Sequence, residues 1–225
     1  METYLSNWLQ QLQQERIIVV IRSPDWQLGQ EMARAAIAGG MNLIEIAWNS
    51  DRPDLLISKL RGEFPHSSIG VGTIVSSQQL ARAVDAGVQF IFSPHADLQL
   101  IQEAIAAKIP VIPGALTPTE IITAWQAGAT CVKVFPIQTV GGASYIRAIK
   151  APLNNIPLIP TGGVTLENAV ELIEAGAIAV GLSSQLFPSR LIQAEDWQAI
   201  AQRAALLKEK VTVPNSLSRG GVTNN

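Results

Sequence analysis

The sequence predicts a single-domain α/β protein of the (β/α)8 TIM-barrel class, and three observations carry that prediction. The chain has 225 residues, a length that such barrels often use as one unit. Short runs of Val and Ile alternate with amphipathic stretches, which is typical of strand–helix units around a parallel sheet. A repeat of roughly 40–50 residues runs through the chain, a period that accommodates two such units. Four periods therefore predict eight strands and eight helices.

The repeat is marked by Ala-Gly pairs, each of which closes a helix-like stretch and precedes a strand-like one. Glycine fits that place because it enters the left-handed conformation that ends many helices at little cost. The pairs lie at residues 38–39, 86–87, 127–128 and 175–176.

The individual elements follow from the apolar pattern. Strands are predicted at residues 16–22, 42–48, 69–74, 89–93, 110–115, 130–135, 157–161 and 178–183. Amphipathic stretches predict helices at 26–38, 77–86, 118–126 and 166–175. With an N-terminal helix and a final helix near 195–210, the barrel domain covers 1–212. The segment 213–225 has too few apolar side chains to pack independently and is predicted to be a flexible tail.

Composition excludes several classes of protein. Charged residues make up 15% of the chain, against about 25% in an average soluble protein, while apolar residues are too abundant for disorder. A formal charge of −2 provides no basic field for nucleic acid or an anionic membrane. The apolar runs are far shorter than a membrane span, and the N-terminus lacks the pattern of a signal peptide. One cysteine, Cys131, fits a reducing compartment, so we expect a cytoplasmic protein. The low charge also predicts a homo-oligomer.

Two predicted strands carry an ionisable residue among apolar ones. Lys133 shares a strand face with Cys131 and Phe135, and Glu45 shares one with Leu43. Burial lowers the pKa of a lysine, which exposes an amine lone pair that can attack a ketone and form a Schiff base. A carboxylate on another strand can then move protons. A structural ion pair across the interior explains the same residues about equally well.

The loops after the seventh and eighth predicted strands are rich in small residues. Barrels commonly bind phosphate there through backbone N–H groups and a helix N-terminus. The first loop reads Pro-Thr-Gly-Gly-Val at 160–164, and the second precedes a short helix predicted before Pro188. Ordinary tight turns are the alternative interpretation. The predicted phosphate ligands are Gly162, Gly163, Ser183 and Ser184.

Together these motifs resemble the class I aldolases that cleave 2-keto-3-deoxy-6-phosphogluconate, a family that also handles 4-hydroxy-2-oxoglutarate. The resemblance runs from about residue 15 to residue 190. It rests on Ile44-Glu-Ile46, Gly70-Val-Gly-Thr-Ile74, Phe92-Ser-Pro94, Ile112-Pro-Gly114, Val132-Lys-Val-Phe-Pro136 with Gly141-Gly142, and Pro160-Thr-Gly-Gly163. It implies a homotrimer that uses neither a metal nor a cofactor.

The resemblance also implies residue roles. Lys133 would form the Schiff base, Glu45 would be the general acid and base, and Thr73 would lie near the pyruvate carboxylate. The remaining predicted substrate-binding residues are Arg22, Asn49, Pro94, Phe135 and Thr161. One position departs from the family pattern, because Asn49 stands where phosphogluconate-cleaving members typically have an arginine. Since an amide does not replace a guanidinium, we expect Arg22, at the end of the first strand, to supply the charge.

The expected reaction is cleavage of 2-dehydro-3-deoxy-6-phosphogluconate to pyruvate and glyceraldehyde 3-phosphate. The alternatives are cleavage of 4-hydroxy-2-oxoglutarate to pyruvate and glyoxylate, a barrel that binds a phosphorylated metabolite without cleaving it, and another phosphate-handling barrel such as an epimerase or synthase.

Overall fold

The computed structural model describes residues 2–212, with side chains from residue 6 onward. The tail predicted at 213–225 lies outside the described residues. The strands are β1 Ile17–Ile21, β2 Leu43–Ala47, β3 Ser68–Gly72, β4 Ile91–Phe92, β5 Val111–Ile112, β6 Gly114–Ala115, β7 Val132–Val134, β8 Leu158–Pro160 and β9 Val180–Leu182. The helices are α1 Glu2–Glu15, α2 Trp26–Ala38, α3 Pro53–Glu63, α4 Ser77–Asp85, α5 Leu98–Ala106, α6 Pro118–Gln126, α7 Ala143–Lys150, α8 Ala169–Glu174, α9 Ser189–Gln193 and α10 Trp197–Thr212. A 3-10 turn at Gln138–Val140 precedes α7.

The strands form two parallel sheets. One has the order β5-β4-β3-β2-β1-β9 and the other β6-β7-β8. Only Pro113, which has no N–H to donate to a ladder, separates β5 from β6. On the other side, Thr161 bridges Gly181, and the Ile178 N–H donates to the Leu158 carbonyl at 3.0 Å. The α/β prediction is confirmed, and the sheet is parallel and curled.

Side chains alternate between two apolar layers along each strand, as the sequence pattern predicts. Ile17, Val19 and Ile21 pack outward in the cluster that contacts the helices. Ile18 lies in a second cluster on the inner face of the curled sheet, together with Leu43. This alternation determines that Glu45 and Lys133, two residues beyond Leu43 and Cys131, also face the interior.

Aromatic side chains fill the interior at the end where the strands begin. Trp8 of α1 packs on Phe90 with 5.7 Å between ring centroids, and Phe90 meets Phe92 edge-on at 5.9 Å. Leu12, also in α1, is fully buried in the same cluster. Helix α1 therefore covers this end of the interior, and the carboxyl ends of the strands form the open one.

The helix boundaries follow local chemistry. Asp25 caps α2 by accepting a hydrogen bond from the Leu28 N–H, and Thr117 with Glu120 forms a capping box at α6. Three repeat glycines have left-handed φ angles, Gly87, Gly128 and Gly176. In the first repeat the left-handed residue is the next glycine along. Within residues 2–212, every helix is too short or too polar to span a bilayer.

Candidate active site

A cavity of about 370 Å³ opens at the carboxyl ends of the strands. It is lined by every residue predicted for the site except Asn49. Those residues are Arg22, Glu45, Thr73, Pro94, Lys133, Phe135, Thr161, Gly162, Gly163, Ser183 and Ser184. They come from β2, β7 and the segments that follow β1, β3, β4, β7, β8 and β9, so the parallel sheet brings distant parts of the sequence to one cavity mouth.

Lys133 extends into this cavity from the middle of β7. Val132 and Val134 pack outward beside it, which directs the lysine inward. Only 7% of Lys133 is exposed, and its Nζ lies 4.6 Å from the centre of the Phe135 ring. Desolvation lowers its pKa, and the positive charge of Arg22 acts in the same direction, while Glu45 opposes it. Burial therefore shifts Lys133 toward the neutral amine, which is the nucleophilic form.

Glu45 lies in the middle of β2 and is 3% exposed. Desolvation raises the pKa of its carboxyl group, against the opposing charges of Lys133 and Arg22. A carboxyl group whose pKa moves toward neutrality can both accept and return a proton during a reaction. Two titratable groups that burial drives toward their neutral forms are a recognisable feature of catalytic sites.

Thr73 follows β3 with a φ of +63°. A β-branched residue in the left-handed region is a genuine outlier, because its side chain crowds the backbone there. Strain of this kind persists where the surrounding structure imposes it, commonly at ligand sites. Thr73 lines the cavity, so its unusual backbone directs a hydroxyl-bearing residue to the place where a substrate would bind.

The predicted phosphate loops lie together at one side of the cavity. Gly162 and Gly163 have φ angles of +89° and +81°, and a Cβ on Gly163 would approach Gln138 to 2.4 Å. Glycine is thus required at 163 both by the backbone and by the space. The short helix predicted before Pro188 is wrong. Residues 184–186 form a turn, and the helix starts after the proline, whose fixed φ suits a helix start.

Asn49 is exposed and does not line the cavity, but it contacts Arg22, which does. Its Oδ1 accepts a hydrogen bond of 3.0 Å from Arg22 Nε. The guanidinium lies at the cavity mouth, and its two terminal nitrogens carry the remaining donors. Asn49 stands where the family typically has an arginine, and Arg22 was expected to supply the missing charge. The two residues are in direct contact.

Sequence reasoning missed several lining residues, which are Val20, Val164, Thr165, Gly181 and Gln185. Most are small or apolar, and their types carry no chemical signal. Strand alternation is the signal that could have found Val20, since it lies two residues before Arg22, and Gly181 two residues before Ser183. The Thr161 hydroxyl is buried and has no hydrogen-bond partner among the described residues.

The arrangement suits covalent chemistry on a carbonyl compound. A dry amine can attack a ketone, a nearby carboxyl group can move protons, and hydroxyl and guanidinium groups can bind the anionic ends of a substrate. Within the part of the chain that the structure describes, no three His, Cys, Asp or Glu side chains cluster closely enough to hold a metal ion. Such a site at the carboxyl ends of parallel strands is that of a lyase or another enzyme that works through an imine.

Comparison with known proteins identifies the class more closely. Residues 9–203 match the family model described as KDPG and KHG aldolase. A 2-dehydro-3-deoxy-6-phosphogalactonate aldolase from Escherichia coli K12 is 34% identical over 76% of this chain and 84% of the relative. A 2-dehydro-3-deoxy-phosphogluconate aldolase from Dickeya dadantii is 32% identical over 80% of this chain and 83% of the relative.

A solved structure is similar over nearly the whole fold. It is KDPG aldolase from Legionella pneumophila with pyruvate captured at low pH as a covalent carbinolamine intermediate, 25% identical, with a TM-score of 0.76 over 89% of this chain and 94% of the other. The protein described here belongs to the KDPG and KHG aldolase family, and it is a carbon–carbon lyase.

Proposed function

We propose that this protein is a Schiff-base aldolase that cleaves 2-dehydro-3-deoxy-6-phosphogluconate to pyruvate and glyceraldehyde 3-phosphate. One observation carries the proposal: a lysine that is 7% exposed, with its pKa lowered by burial, in a cavity that also contains a buried carboxyl group. The Dickeya dadantii relative, which acts on the phosphogluconate by its name, supports the substrate.

In the proposed reaction the neutral Lys133 amine attacks the C2 ketone of the substrate. Loss of water gives an iminium that withdraws electrons from the C3–C4 bond. Glu45 takes the proton of the C4 hydroxyl, the bond breaks, and the aldehyde leaves while the electron pair remains as an enamine on the pyruvyl half. Glu45 then returns a proton to C3, and water hydrolyses the imine to release pyruvate and the free lysine.

The rest of the cavity recognises the two anionic ends of the substrate. Thr73, which is held in its left-handed backbone, is proposed to donate to the pyruvate carboxylate. Gly162, Gly163 and the Ser183–Ser184 turn are proposed to bind the phosphate through hydroxyl and bare backbone groups. Arg22 at the mouth adds positive charge, and Phe135 and Pro94 form the apolar walls.

A second candidate substrate is the C4 epimer, 2-dehydro-3-deoxy-6-phosphogalactonate. It is favoured by the 34% identity to an aldolase of that name and by Asn49, which stands where phosphogluconate-cleaving relatives typically have arginine. The two substrates differ only in the hydroxyl whose proton Glu45 removes. The 4-hydroxy-2-oxoglutarate alternative is not better supported, since that compound makes no use of the glycine and serine loops around a phosphate.

Trapping and kinetics test the proposal together. Pyruvate with borohydride should add one reduced pyruvyl group to Lys133, located by peptide mass spectrometry. Pyruvate release should then be measured for both phosphorylated epimers and for 4-hydroxy-2-oxoglutarate, and we expect the highest kcat/KM with the phosphogluconate. An unmodified lysine would refute the mechanism. Ligand binding without pyruvate release would support a non-cleaving barrel.

We further propose that residues 1–212 form one domain in which the sheet closes as a full (β/α)8 barrel. The Thr161–Gly181 bridge and the near-continuity of β5 and β6 support closure. A homotrimer is proposed from the family resemblance and from two exposed apolar side chains, Val75 at 49% in the segment after β3 and Leu98 at 52% at the start of α5. A monomer mass in light scattering would contradict the trimer. The proposed location is the cytoplasm, where a phosphorylated sugar acid would be retained.

A further inference from the structure

Strand β3 presents two glycines to the interior of the curled sheet, and they meet different neighbours. In the parallel register with β2, Gly70 lies beside Glu45 and Gly72 beside Ala47. We propose that Gly72 is a positioning residue for the reaction, because its missing side chain leaves the space that the Glu45 carboxyl group occupies. The proposal rests on the role given to Glu45 above.

The distances from a Cβ built on Gly72 to the Glu45 side chain show that there is no room for a side chain at position 72. A Cβ added to Gly72 would lie 1.6 Å from Glu45 Oε1, 2.4 Å from its Cδ and 3.0 Å from its Cγ. The first value is close to a covalent bond length, so the carboxyl group and a side chain at 72 cannot coexist in this arrangement. The carboxyl group would have to swing away from the place where it now lines the cavity with Lys133.

Backbone conformation gives no competing reason for this glycine. Gly72 is the last residue of a regular strand and is absent from the glycines with positive φ, unlike Gly162 and Gly163. Alanine would therefore be accepted by the backbone at 72. The remaining reason for a glycine at position 72 is the space that the Glu45 side chain occupies.

Gly70 provides a matched comparison on the same strand. A Cβ there would lie 2.3 Å from the Phe90 ring, in the apolar cluster that contains Trp8 and Phe92. Both glycines are buried and both would clash when substituted, but only at Gly72 would the added Cβ clash with a titratable side chain. Gly70→Ala should therefore disturb packing without a specific effect on proton transfer.

A double-mutant cycle separates the two roles. The variants are Gly72→Ala, Glu45→Ala, the double variant, and Gly70→Ala in both backgrounds, with the midpoint of urea unfolding measured for each. Gly72→Ala should lower the midpoint in the otherwise native chain and leave it unchanged when Glu45 is already alanine. Gly70→Ala should lower the midpoint equally in both backgrounds. This result depends on geometry alone, so it stands or falls separately from the assigned reaction.

Kinetics then test the effect on proton transfer. We expect Gly72→Ala to lower kcat about 100-fold, the range of a lost general acid–base contribution, with KM changed by less than about threefold. Borohydride should still trap pyruvate on Lys133, while exchange of the pyruvate methyl protons with deuterated water should slow by the same factor as kcat. Gly70→Ala, measured per folded molecule, should keep both rates.

Two results would overturn the proposal. One is a Gly72→Ala enzyme with native kcat and native exchange. The other is an equal loss of stability from Gly72→Ala with and without the Glu45 side chain. If the single variant fails to fold, the double variant decides: a folded double variant supports the proposal, and an unfolded one contradicts it.

Discussion

The inner face of the curled sheet has an apolar half and a half that lines the cavity, and the same strands contribute residues to both. Leu43 and Cys131 belong to the fully apolar half, whereas Glu45 and Lys133, two residues further along the same strands, line a cavity. The separation is about 6–7 Å along a strand. The first half gains stability by excluding water from apolar surface, and the second gives up packing to hold ionisable groups. Stability and chemistry are therefore adjacent in this protein but carried by different residues.

The largest effect should come from removing the nucleophile. Lys133→Met keeps the length and burial of the side chain but has no amine, so we expect pyruvate release to fall by about 10⁴-fold or more, as when a covalent nucleophile is lost. The borohydride adduct should disappear. The exposed Lys210→Met serves as the control and should retain both. Substantial turnover by Lys133→Met would contradict the assignment of the chemistry to Lys133 and to the cavity-lining half of the inner face.

The apolar half should show the converse behaviour. Phe90 is fully buried between Trp8 and Phe92, so Phe90→Ala should lower the free energy of unfolding by about 3–5 kcal/mol, through lost burial and the cavity that remains. Urea denaturation measures this change. Truncation of the exposed Leu206 of α10 to alanine should cost less than about 0.5 kcal/mol. A large loss of kcat per folded Phe90→Ala molecule would show that the halves are coupled.

The effect of the cavity-lining half on the free energy of unfolding should depend on pH. Burial lowers the pKa of Lys133 in the folded state, so the contribution of this residue to stability is present above the unfolded pKa of about 10.4 and is lost as pH falls through the folded value. Lys133→Met should consequently be more stable than the native chain at neutral pH, with a gain that shrinks as pH rises toward 10.4. Urea midpoints between pH 7 and 10 test the slope. A gain that does not change with pH would indicate that burial of the charge is not its source.

The smallest effect concerns the rim of the cavity. Asn49→Ala removes the acceptor that orients Arg22, and we expect KM for the phosphorylated substrate to rise about tenfold, since a hydrogen bond to a charged group is lost. The value of kcat should change little. Asn49→Asp keeps an acceptor oxygen and should preserve KM. An unchanged KM in Asn49→Ala would remove Arg22 from the substrate-binding residues.

Much of the fold and of the candidate site could be predicted from the sequence, because both follow from the periodic spacing of apolar residues. The alternation of Leu43, Ile44 and Glu45 determines which side chain faces inward, whatever the surrounding structure. Two helices, α2 and α6, coincide with their predicted ranges, since a capping residue or an N-terminal proline marks each start. Strand-to-helix order also predicts a parallel sheet and places its chemistry at the carboxyl ends.

The rest depends on space, which a sequence does not display. The contact between Asn49 and Arg22 spans 27 positions of the chain, and nothing local announces it. The helix at Ser189 was misplaced because Ser183 and Ser184, which precede Pro188, fit a turn and a helix start equally well. In the sequence, Gly72 is one of two glycines in the segment 70–74. Its role as a positioning residue is proposed from the Glu45 carboxyl group that lies beside it in the structure.

Helix α1 has a consequence for the timing of the reaction. With Trp8 and Leu12 closing the floor of the interior, we expect substrate to enter and both products to leave at the carboxyl ends of the strands, where the cavity opens. In the proposed reaction we expect the aldehyde fragment to lie between the bound pyruvyl group and bulk solvent. We therefore expect the aldehyde to leave before water hydrolyses the imine, so that pyruvate is released last.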